Sequence, residues 1–181
     1  PVPSARGLSA WRTLDLQFGA CDQGQSVLNG ADGYKESTIT KLAGVSGSFC
    51  VDGAVPPDAP WAGLWYDPSK DGEGYNLIVA PPGRILYFYG FGLNGQRLWL
   101  ISDLITETLE VGKTVTVRMF EASEGTFSEP VPSSESLVEW GTAEITVIDC
   151  DTVIIVIQGT DGTKTSNTIR LAGIIGLGCP G

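Results

Sequence analysis

Apolar and polar residues alternate with a period of two along most of the chain, and no stretch sustains an apolar stripe at helical spacing. In "TLDLQF" (Thr13 to Phe18) the alternation is strict, and β-branched and aromatic residues dominate the later runs. The runs are separated by strong turn chemistry: "NGADG", "DPSKDGE", "PPG", "LNG" and "GTDG". This predicts strands at Thr13 to Phe18, Gln25 to Leu28 and Tyr34 to Leu42, then at Gly63 to Tyr66, Gly74 to Ala80, Arg84 to Gly92, Gln96 to Leu104 and Thr114 to Ala122. A last group follows at Ala143 to Asp149, Thr152 to Gln158 and Lys164 to Ala172. Short connections favour an antiparallel meander. The middle and last groups together supply eight strands, which suits an up-and-down barrel or a curled sandwich. The expected class is all-β, with the first group as an extra three-stranded half. Val153 to Ile157 is apolar at every position, which predicts cover on both faces, with the extra half as a source of that cover.

The extra half is a copy. Shifting the chain by 130 − 1 = 129 positions lays "PVPS" at Pro1 on "PVPS" at Pro130, and the register then holds without a gap. Trp11 falls on Trp140, Cys21 and Asp22 on Cys150 and Asp151, Asp32, Gly33, Lys35 and Ser37 on Asp161, Gly162, Lys164 and Ser166, and Cys50 on Cys179. The chain therefore divides into an A half (1–52), a B half (53–129) that occurs once, and a second A half (130–181), so that 53–181 forms a complete B-plus-A repeat. Segments rich in Pro, Ser and Glu at Ser123 to Ser136 and Val51 to Pro60 read as linkers. Because 50 − 21 = 29 and 179 − 150 = 29, the simplest disulfide scheme is one bridge within each copy, Cys21 to Cys50 and Cys150 to Cys179. Such bridges imply an oxidising, extracellular or cell-surface setting.

Composition narrows the function. The formal charge of −10 opposes binding to nucleic acid and to anionic membranes. No apolar run approaches the roughly 18 residues of a membrane span, and no basic segment followed by an apolar core opens the chain, so an exported protein would be present here as its mature form. The absence of histidine removes the usual general base near neutral pH and the commonest zinc ligand. A non-enzymatic protein without cofactor is expected.

Three segments, "GLWYDPSKDGEGYNLIV" (Gly63 to Val79), "YFYGFGLNGQRLWL" (Tyr87 to Leu100) and "WGTAEITVIDCD" (Trp140 to Asp151), resemble uncharacterised secreted bacterial repeat proteins built on G-x-W-Y-x-P, G-x-G-Y/F-N, Y-x-Y and G-x-x-x-W-L, followed by a strand ending in D-C. The resemblance implies a secreted repeat module and carries no activity. The opening G-x-W-Y with its turn and hairpin is also similar to avidin-like barrels, at the level of fold alone.

Two sets of side chains are candidates for binding. Asp67, Asp71 and Glu73 cluster in "YDPSKDGEG" and are weak candidates for a calcium site, read foremost as a solvated turn. Asp103 and Glu107 show no sign of the paired carboxylates of a glycosidase. Aromatic residues gather in the B half, and Trp65, Tyr66, Tyr87, Tyr89 and Trp99 are the candidate ligand or interface contacts. Tyr87 and Tyr89 lie on one face of their strand and Phe88 on the other, so both faces of this hairpin are apolar. The leading expectation is a structural or adhesive module that self-associates, by β-augmentation through the surplus A half, into filaments. The alternative is a barrel that binds carbohydrate or a small apolar ligand.

Overall fold

The computed structural model describes residues 10–41, 44, 54–80, 82–122, 137–174 and 177–178. Strands β1 (Arg12–Phe18), β2 (Gln23–Gly30) and β3 (Gly33–Thr40) form an antiparallel three-stranded sheet. Strands β4 (Gly63–Tyr66), β5 (Gly74–Ala80), β6 (Gly83–Phe91), β7 (Arg97–Ser102), β8 (Thr114–Ala122), β9 (Leu137–Val147), β10 (Thr152–Gly159) and β11 (Gly162–Gly173) form a closed antiparallel barrel, each paired with the next and β11 paired back onto β4. The fold is all-β, and the eight-stranded body is a barrel rather than a sandwich.

The alternation read from the sequence sorts residues between the two faces of the barrel wall. Trp65, Leu77, Leu86, Phe88, Leu100 and Met119 from the B half meet Ile145, Val147, Val153, Ile155 and Ile157 from the A half in one buried cluster. Val153, Ile155 and Ile157 point in, while Ile154 and Val156 on the outer face are only half-buried. The extra half, the expected source of cover for this second face, pairs through β1 to β3 with no strand of the barrel.

Two boundaries differ from the sequence pattern for identifiable reasons. Strand β9 begins at Leu137 rather than Ala143, because its first residues stay paired with the end of β8, Leu137 with Ala122 and Glu139 with Phe120. It stops at Val147, before Asp149, because the amides of Ile148 and Asp149 both turn back to the Thr152 carbonyl. Of the two expected linkers, Ser123 to Ser136 lies outside the described residues. The described part of Val51 to Pro60 is not a slack connection. Residues 54–62 carry a single-turn 3-10 helix (Ala59–Trp61) and the fully buried Asp58. Both carboxylate oxygens of Asp58 pair with the Arg84 guanidinium, and one also accepts the Leu109 amide at 3.1 Å. A buried charge without a partner would be costly; here the pairing holds the segment against the barrel.

Closure depends on the β11–β4 seam. There Gly63 lies so close to its partner strand that an added Cβ would sit 2.4 Å from the Ala172 carbonyl oxygen, with φ +146 at Gly63. No other residue type fits this approach without displacing the strand.

Because equivalent positions of the two A halves sit in different surroundings, the same truncation has different consequences. Ile145 is fully buried, whereas its counterpart Leu16 (16 + 129 = 145) is 51% exposed. Ile145→Ala should destabilise the chain by about 2–5 kcal/mol and Leu16→Ala by less than about 1 kcal/mol, read from denaturant midpoints. Equal losses would contradict this arrangement.

Candidate functional site

The barrel separates the aromatic residues singled out from the sequence. Trp65 points inward and is buried, its indole N–H donating to the Trp61 carbonyl at 3.0 Å. Tyr66, the next residue of β4, faces outward beside Ile169 at the closing seam. Tyr87, Tyr89 and Trp99 come together on the outer face of the β6–β7 hairpin. Tyr89 and Trp99 are cross-strand partners with ring centroids 6.0 Å apart, Tyr87 lies 6.3 Å from Tyr89, and the ring planes agree within 24°. Partial burial raises the Tyr89 phenol above its ordinary value, reinforced by neighbouring Tyr87. Trp99 is 57% exposed, with Phe91 and Arg97 flanking the open groove beside it.

The acidic turn is spoken for by the protein itself. Asp67 Oδ1 accepts from the Ser69 amide at 2.9 Å and its hydroxyl at 2.6 Å, and Oδ2 accepts from the Asn167 amide at 3.1 Å, with Lys70 beside it at 3.2 Å. Burial pushes this carboxyl upward, and these hydrogen bonds outweigh it and bring the pKa down to about 2. Glu73 pairs with Lys164 on β11, and Asp103 with Arg118 at 3.0 Å. Among the described residues no group of three or more His, Cys, Asp or Glu side chains is arranged to hold a metal ion.

The second surface is the three-stranded sheet. Its register is that of β9–β10–β11 displaced by 129: Leu16 faces Ser26 as Ile145 faces Ile155, Phe18 faces Gly24 as Val147 faces Val153, and Gly30 faces Gly33 as Gly159 faces Gly162. The face that β9 and β10 bury in the barrel is left open on β1. Leu14, Leu16 and Phe18, at the positions of Ala143, Ile145 and Val147, are more than half exposed.

Each A half also contains the same clasp. The indole of Trp11 donates to Asp32 Oδ2 at 2.8 Å, and that of Trp140 donates to Asp161 Oδ2 at 2.9 Å. In both, the ring lies over a glycine, Gly30 or Gly159, where a Cβ would overlap it. The clasp fixes the tip of the second hairpin against the start of the first strand. In the barrel its remaining oxygen reaches the B half: Asp161 Oδ1 accepts the Leu93 amide at 2.9 Å and the Gln96 side chain at 3.3 Å, both in the β6–β7 turn. The Leu93 amide, then the Trp140 indole, hold the Asp161 carboxyl below its ordinary value. A cleft of about 180 Å³ lies at this mouth, lined by Phe88, Leu93, Trp140 and Lys164. That is smaller than the roughly 300 Å³ at which small-molecule sites begin.

By sequence Asp32 and Asp161 are turn residues of "NGADG" and "GTDG". The signal that could have found them was the repeat: a tryptophan and an aspartate held at one spacing in both copies. Neither Cys21 nor Cys150 is a free thiol; Cys50 and Cys179 lie outside the described residues. No helix among the described residues is long and apolar enough to cross a membrane. Comparison with family models, with curated proteins and with solved structures finds no match to this chain.

The Asp67 site sets a pH dependence. A carboxylate at about 2 when folded and near 4 when unfolded stabilises the fold fully above about pH 4, and that contribution fades as the pH falls through 2. Asp67→Asn should lower the melting temperature at pH 7 and flatten its decline between pH 4 and 2. An unchanged acid limb would remove Asp67 from this role.

Proposed function

We propose that this chain is a secreted, non-enzymatic structural or adhesive β-repeat module that works by association through its surplus A half. The observation that carries the reading is the open apolar face of β1, where Leu14, Leu16 and Phe18 stand exposed at positions whose counterparts fill the barrel. An exposed apolar strip of this kind, on a sheet whose two edges pair with no strand among the described residues, is an association surface. The barrel is a durable unit for such a role. It has no open edge, its interior is filled by side chains, and the Asp58–Arg84 pair holds the segment that leads into β4. Bridges Cys21–Cys50 and Cys150–Cys179 would add about 3–4 kcal/mol each by closing loops in the unfolded chain. A closed barrel offers a neighbour no edge to extend, so assembly into chains or filaments would run through β1–β3.

Sedimentation over a concentration series tests this reading. The native chain should show a rising average mass, and Leu16→Asp with Phe18→Asp should hold it at the monomer while leaving the barrel's thermal transition unchanged. A native chain that stays monomeric at high concentration, or a variant that associates equally, would contradict it. Peptide mapping without reductant should recover Cys21 linked to Cys50; a Cys21–Cys150 link would refute the pairing.

A second reading, a carbohydrate-binding barrel, draws support from the near-coplanar Tyr87, Tyr89 and Trp99 on an open outer face, since aromatic faces of this kind stack against sugar rings. A glycan array separates the two, with Trp99→Ala expected to abolish any signal that belongs to this face.

A further inference from the structure

We infer that the partner of β1–β3 is a five-stranded half of the β4–β8 type that brings no A half of its own, and that it docks by closing an eight-stranded barrel over the exposed sheet. The inference rests on the association reading above and names the occupant of that surface.

Three independent observations point to this occupant. The first is polar. In the barrel, three side chains of the second A half reach the B half through side-chain contacts near the β6–β7 turn and β5: Asp161 accepts from Leu93 and Gln96, Lys164 pairs with Glu73, and the Ser166 hydroxyl meets the Tyr75 hydroxyl at 3.0 Å. The first A half carries the identical residues at all three positions, Asp32, Lys35 and Ser37. Much of the rest of the strand sequence differs between the copies, including most of the inward-facing apolar residues. The Trp11 clasp accounts for Asp32 within the sheet; the lysine and serine kept with it are the residues that meet Glu73 and Tyr75 of the B half in the barrel.

The second observation is volume. Across the paired first and second strands, Phe18 opposite Gly24 replaces Val147 opposite Val153, and Leu16 opposite Ser26 replaces Ile145 opposite Ile155. The second of these pairs loses bulk, and Leu14 opposite Leu28 in place of Ala143 opposite Ile157 restores it, which is how a core keeps its filling under substitution. The third is the pair of edges. In the barrel β9 pairs with β8 and β11 pairs with β4. The equivalent edges of β1 and β3 pair with no described strand, and a B-type half would satisfy both at once.

A second copy of this chain can cover the strip only by apposing its own β1–β3, which is the self-association proposed above; it has no free B half with which to close a barrel. The chain holds two A halves and one B half, and that B half is already closed by β9–β11. Any exchange between copies would cover one A half only by uncovering another.

The test joins a second B segment (residues 54–136) by a flexible linker ahead of the intact chain and follows hydrogen exchange peptide by peptide. Because the two B segments are identical, any pairing they choose places residues 12–40 in a barrel. Exchange in 12–40 should slow by at least ~100-fold relative to the unextended chain, toward that of 137–173, as expected when amides move from local to global opening. Lys35→Ala with Ser37→Ala, which leaves the Trp11–Asp32 clasp intact, should reverse much of the gain in 12–40 and leave 137–173 unchanged. Unchanged exchange in 12–40 while 137–173 stays protected would overturn the inference. Protection of 12–40 in the unextended chain that grows with its concentration and is not increased by the added segment would also overturn it, in favour of a self-paired sheet. In that last case the association reading survives; a chain that neither associates nor responds to the added B segment refutes both.

Discussion

In this fold an A half buries its inner face where a B half pairs with both of its edges, and the rest of the structure follows from where that condition is met. In residues 137–173 it is met: β8 takes one edge, β4 takes the other, and the five strands β4 to β8 close over Val147, Val153 and Ile157. The seam is then pinned by contacts from several directions. Arg170 lies over the Trp65 ring at 4.7 Å and donates to the Pro60 carbonyl at 2.8 Å, Asp67 takes the Asn167 amide, and Glu73 takes Lys164. In residues 12–40 the same strands, in the same register, meet neither partner. A three-stranded sheet with one apolar face open is near the lower limit of independent stability, so its internal devices carry more of the burden. The Trp11–Asp32 clasp and the tight Gly30–Gly33 turn are among them.

This contrast is what makes the molecule informative. Internal repeats seldom present one half-unit both assembled and unassembled, and here the difference between the two shows which residues serve the half itself and which serve the junction. The tryptophan–aspartate clasp and the glycine beneath it are made identically in both settings, so they belong to the half. The second oxygen of the aspartate, the lysine and the serine find the B half only in the barrel, so they belong to the junction.

Much of the fold could be read from the sequence. The B-half strands at Gly63 to Tyr66, Gly74 to Ala80 and Thr114 to Ala122 coincide with β4, β5 and β8, because Asp-Gly and Pro-Gly turns bound the second and apolar and polar residues alternate at the start of the third. Barrel against sandwich was not legible: it depends on β11 meeting β4 across the whole chain, and Gly63 gives no local sign that Ala172 will approach it. The outward cluster of Tyr87, Tyr89 and Trp99 was half visible, since period two separates them from Phe88, but Trp65 could not be sorted from them by type. Its placement inside follows from the strand's direction at closure. Asp58 was hidden for a different reason. A Pro-rich segment looks like a linker, and only the distant Arg84 turns its carboxylate into a buried anchor.

Burial of an A half is therefore conferred by the B half and not by the A sequence. Site-resolved hydrogen exchange on the unmodified chain at low concentration measures this directly, by comparing amides related by the repeat, Leu16 with Ile145 and Leu28 with Ile157. The β9 and β10 amides should exchange only on global unfolding while their β1 and β2 counterparts exchange through local opening, far faster. Equal protection of the two sets would contradict it.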